Sequence, residues 1–60
     1  MIYKLLLQEK NKDMISKDIE TNPANMKKHF SQLKQKHKGT GTLMVVYKFV
    51  NGKWIGFLRN

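Results

Sequence analysis

Apolar and polar positions alternate with period two near both ends of the chain, and with period near 3.6 in between. From Ile2 to Gln8, Tyr3, Leu5 and Leu7 fall on one side, while Ile2, Lys4, Leu6 and Gln8 fall on the other. This predicts a first strand over about 2–8. Glu9-Lys10-Asn11-Lys12-Asp13 reads as a polar exit loop. Met14 to Glu20 has no decisive period: Ser16 suits the cap of a short turn, and an irregular segment fits equally well.

Thr21-Asn22-Pro23 then marks a helix start. Asn22 is placed to accept from a free amide of the first turn, and Pro23 loses nothing there by lacking an N–H. Behind it Met26, Phe30, Leu33 and His37 recur at i, i+4, i+7 and i+11, a narrow apolar stripe. Gly39 suits a left-handed stop. The spacing predicts a helix over about 23–38. Leu43 to Leu58 is rich in β-branched and aromatic residues on either side of Asn51-Gly52, the dipeptide of a two-residue hairpin turn. Strict alternation from that turn sets Phe49 opposite Trp54, Tyr47 opposite Gly56 and Val45 opposite Leu58. The second face of this hairpin, about 43–58, carries Met44, Val46, Lys48, Val50, Lys53, Ile55, Phe57 and Arg59.

The expectation is therefore α+β: a single small β-α-β-β domain over 1–60, a three-stranded sheet with one helix packed on one face. The helix stripe is expected to cover the Tyr47, Phe49, Trp54 and Leu58 side, with a right-handed crossover between the first two strands as the default. Whether the first strand lies beside the second or the third is open. Sixty residues leave room for one thin core, since a chain of this size buries only about 60% of its unfolded surface. A two-domain enzyme or a dinucleotide-binding fold does not fit.

Charge adds the main functional lead. Twelve Lys/Arg against four acids give +8. All four acids (Glu9, Asp13, Asp18, Glu20) lie in the first twenty residues and balance four lysines there, so residues 21–60 carry the whole excess. Such asymmetry points to a face that meets an anion. On the helix, Lys27, Lys34 and Lys38 flank the apolar stripe, with Lys28, Lys36 and His29 on the remaining outer surface. No acid is present to form the i,i+4 pairs that usually offset lysine repulsion. On the hairpin, Lys48, Lys53 and Arg59 alternate with Val46, Ile55 and Phe57.

Two readings follow. The first is a nucleic-acid-binding domain, for DNA or RNA, in which Lys27, Lys28, Lys34, Lys38, Lys48, Lys53 and Arg59 contact phosphates with weak sequence preference; a single arginine offers little guanine readout. The second is a small regulator or inhibitor of an acidic protein, anchored by exposed Val46, Ile55 and Phe57; the same hairpin face, or a strand edge, would also suit a homodimer. Charge runs also serve solubility alone.

Enzymatic chemistry has little support, and the chain is not expected to be an enzyme. A small RNA-cleaving toxin would have to work with His29, His37 and Tyr47. The two histidines point in different directions from the helix, and no motif accompanies them. No metal or other cofactor is expected, since there is no cysteine and no clustered His or acid spacing. The opening Met1–Leu7 run lacks a basic leader and a cleavage site, and no stretch is long enough to span a bilayer, so a cytoplasmic protein with no membrane partner is expected.

Overall fold

The structure, a computed structural model, describes residues 1–60. The chain runs β1 (Ile2–Gln8), β2 (Ile15–Glu20), α1 (Pro23–Lys36), β3 (Leu43–Val50) and β4 (Lys53–Arg59). The class is α+β as expected, but the sheet has four strands, not three, in the order β2-β1-β3-β4, each pair antiparallel.

The additional strand is β2, from the segment with no decisive period. Its chain reversal begins at Glu9, whose carbonyl accepts from the Lys12 N–H at 3.1 Å, and passes through Asn11 at φ 63. Asparagine tolerates that left-handed conformation better than most residues. β2 also settles strand direction. It brings the chain back along β1, so β3 enters antiparallel to β1, and the handedness rule for parallel crossovers does not apply. The first strand lies beside the first strand of the C-terminal hairpin.

Asn22 caps α1 as its sequence position implies: Oδ1 accepts from the Asn25 N–H at 2.8 Å, with Pro23 at the first helical position. The helix stops at Lys36, two residues short of expectation. The chain turns from His37, whose carbonyl accepts from both the Thr40 amide and, at 2.6 Å, its hydroxyl.

The helix lies over the face opposite to the one anticipated. The core is Tyr3, Leu5 and Leu7 of β1, Met44 and Val46 of β3, and Met26 and Phe30 of α1. Residues directly opposite in the ladder share a face, and Tyr3, Leu5 and Leu7 pair with Lys48, Val46 and Met44. Tyr47, Phe49 and Trp54 are thus on the uncovered face. The pairing Phe49–Trp54 and Tyr47–Gly56 holds, but Val45 meets Arg59 and not Leu58. The cause is a bulge: Phe57 is the extra residue between the Tyr47–Gly56 and Val46–Leu58 pairs. Phe57 packs its ring 5.1 Å from that of Tyr3, and Arg59 is transferred to the uncovered face. Asn60 holds the end of β4, accepting from the Met44 N–H at 3.0 Å and donating to the Thr42 carbonyl at 2.7 Å.

Candidate functional site

The acids, together with the lysines that pair with them, lie in the β1–β2 half. Lys4 pairs with Asp18 at 3.0 Å and Lys12 with Glu9 at 2.9 Å, both in the β1–β2 half, and His37 Nδ1 lies 3.9 Å from Glu9. No lysine of residues 21–60 is in an ion pair, and neither is Arg59.

Four of the predicted cations come together along the β4 side of α1. Lys27 Nζ lies 5.9 Å from the centre of the Phe57 ring, and Lys48 Nζ lies 5.7 Å from the same centre. One comes from the helix and the other from β3, and the bulge places the ring between them. Each ammonium group is attracted by the ring's π-electrons. About two and three turns along the chain from Lys27, Lys34 and Lys38 line a hollow that reaches Met44 and Asn60. Lys53 stands on the same sheet face as Lys48, next to the Asn51-Gly52 turn. Asn51 and Gly52, at φ 50 and 76, form the tight turn that fixes this register.

The last two members of the predicted set, after these four and Lys53, lie elsewhere. Lys28 is on the exposed side of α1 away from the sheet, and Arg59 is on the uncovered sheet face. The predicted apolar patch is broken up too. Val46 is fully buried under the helix and presents nothing to a partner. Phe57 is half-buried, and Ile55 alone of the three is well exposed, at 44%. His29, His37 and Tyr47 are also separated: His29 lines a hollow with β2 residues, His37 caps the far end of α1, and Tyr47 is across the sheet.

The uncovered face is the region sequence reasoning misassigned. Tyr47, Phe49 and Trp54 stand there with Leu6 and Val45; Phe49 is 41% exposed and Trp54 42%. The Phe49 and Trp54 rings are 4.9 Å apart, tilted by 59°, and Lys4 Nζ lies 4.9 Å from the Trp54 ring while held by Asp18. Between Tyr47 and Arg59, Gly56 withholds a side chain. A hollow of about 420 Å³ opens there, also bordered by Val45, Phe57 and Leu58. Recognising β2 would have revealed this face. Ile15 and Ile19 share the side of Leu7 and Tyr3, while Ser16, Asp18 and Glu20 mark the other side as solvent-facing.

No group of three or more His, Cys, Asp or Glu side chains is arranged to hold a metal ion. No helix is long and apolar enough to cross a membrane. Comparison with family models, curated proteins and solved structures finds no significant match to this chain.

Proposed function

We propose that this protein binds nucleic acid through its phosphates, using the basic flank between α1 and β4. The observation that carries the reading is the convergence of Lys27 and Lys48 on Phe57, with no carboxylate paired to either. Two unpaired ammonium groups that share one ring leave this flank positively charged, and an anion laid along it offsets their charge. Lys34 and Lys38 continue the line toward the end of β4, so a phosphate backbone laid along the flank meets four cations. Lysine alone recognises phosphate as a point charge, so binding has weak sequence preference.

Fluorescence anisotropy of a labelled oligonucleotide, at low and near-physiological salt, tests this. Four phosphate contacts give a slope of log affinity on log salt of about −3 for a single strand and about −3.6 for a duplex. Lys27→Glu combined with Lys34→Glu is expected to lower affinity by about tenfold or more and to flatten that slope. Binding that ignores both salt and these substitutions would overturn the reading. Absence of any oligonucleotide binding at low salt would instead favour the second one, an acidic protein met by the basic face and the hairpin.

A further inference from the structure

We infer that the uncovered face of the sheet is a binding site for unpaired bases, which makes the ligand a single-stranded nucleic acid. This rests on the phosphate-binding reading and adds a second surface to it. An antiparallel sheet with one covered face ordinarily shows polar side chains on the other. Here the solvent face shows three aromatic rings, two of them substantially exposed. Rings on an open sheet are stacking platforms for any base, because every base has a π-face. Tyr47 and Phe49, two residues apart on β3, are separated by about 6.6 Å along the strand, so each can take its own base.

The hollow beside them has the features of a seat for a flat ligand. Gly56 lines it beside the bulge; its φ lies outside the positive region, and a Cβ would meet nothing within 4 Å, so the space above it is open. A glycine inside a strand marks a bulge or the close approach of a ligand, and beside this bulge it leaves room for one. Tyr47 and Arg59 line it as well. The bulge is what brings Arg59 to this face, and a guanidinium there is suited to stack on a base plane and to pair with a phosphate.

The charge selects the occupant. A second copy seated on this face would bring together two chains of +8 each, whereas a polyanion is attracted. The rings lie on β3 and β4, and Asp18, which shares their face, is paired with Lys4 beside Trp54. A duplex keeps its bases stacked inside and has nothing to offer the rings.

Trp54 is the only tryptophan and reports the site directly. Its fluorescence is to be titrated with an oligothymidylate about 12 nucleotides long and with a duplex of the same length. The single strand is expected to quench Trp54 and to bind about tenfold more tightly than the duplex, which leaves the emission unchanged. Gly56→Val, which fills the hollow, and Arg59→Gln are each expected to weaken the single strand by about tenfold. Their duplex binding at the lysine flank stays as in the parent, which also shows that the variants are folded. Duplex binding as tight as single-strand binding, no quench, and no effect of either variant would overturn the inference and leave the phosphate reading standing. Failure of both oligonucleotides to bind at low salt would overturn both. Quenching by polyglutamate but not by oligothymidylate would do the same, in favour of an acidic protein.

Discussion

Beneath the helix, Tyr3, Leu5, Leu7, Met44 and Val46 are almost wholly removed from water by Met26 and Phe30. On the other side of the same strands, Tyr47 is half-buried, and Phe49 and Trp54 keep about two-fifths of their surface exposed. Within the hairpin, Tyr47, Phe49 and Trp54 are on the side with no cover, while Met44 and Val46 are on the side that packs, where Tyr3, Phe30 and Phe57 supply the rings. Hydrophobicity alone would assign the faces the other way round. The helix stripe accounts for the outcome: Met26, Phe30 and Leu33 are enough to cover two central strands and no more. The edge strands are covered only in part, and the aromatic face is left for other use.

The sharpest way to break that comparison is to truncate one large side chain on each face. Phe30→Ala removes a buried ring and is expected to cost about 3–5 kcal/mol. A single core in a chain this small supplies about that much in total, so the variant should be largely unfolded at 25 °C. Trp54→Ala loses mainly its pairing with Phe49, about 1 kcal/mol. Urea denaturation followed by far-ultraviolet circular dichroism reads both. Equal losses would mean that the uncovered face is a structural element in its own right.

The elements with a local signal were legible in the sequence. Asn22-Pro23, the helix stripe, Asn51-Gly52 and the alternation of β1 each act within a few residues, and each appears where its pattern placed it. Three features needed information from across the fold. β2 is a short edge strand whose Lys17 breaks the apolar alternation of Ile15 and Ile19; its pairing with β1 makes it a strand. The covered face was undecidable because both faces of β3 are apolar. The bulge at Phe57 is set by packing on Tyr3, and it moved Arg59 from one face to the other. The lysine flank was anticipated from spacing, but its meeting with Lys48 over Phe57 was not.

The glycines of the hairpin sharpen the contrast at an intermediate scale. Gly52 is at φ 76 in the turn, so Gly52→Ala is expected to destabilise by about 1 kcal/mol. Gly56 is in an ordinary strand conformation with free space above it. Gly56→Val is therefore expected to stabilise by about 0.5 kcal/mol, through better strand propensity, while weakening single-strand binding. Thermal melts of the two variants beside the parent check the signs. A destabilising Gly56→Val would assign that glycine a structural role and remove one support of the proposed base-binding site.

The smallest expected effect is confined to the covered side and depends on pH. Glu9 lies at the β1–β2 turn, where its hydrogen bond and ion pair with Lys12, and to a lesser degree the nearby His37 and Lys36, hold its carboxyl below the usual value of 4.5. A lowered folded-state value means that the carboxylate stabilises the fold above the unfolded value, and that this contribution fades as pH falls through the folded one. The window is thus at and below 4.5. Because the pair is exposed and screened, the effect on stability is slight. Glu9→Gln is expected to melt slightly below the parent at pH 7, and the gap should close in acid, below the lowered pKa of Glu9. Nothing at the Tyr47, Gly56 and Arg59 hollow depends on Glu9, so Trp54 quenching at pH 7 should be the same in both. A gap that persists in acid would mean that Glu9 acts through its shape rather than its charge. Altered quenching would mean that the two faces are coupled through the sheet and do not act independently.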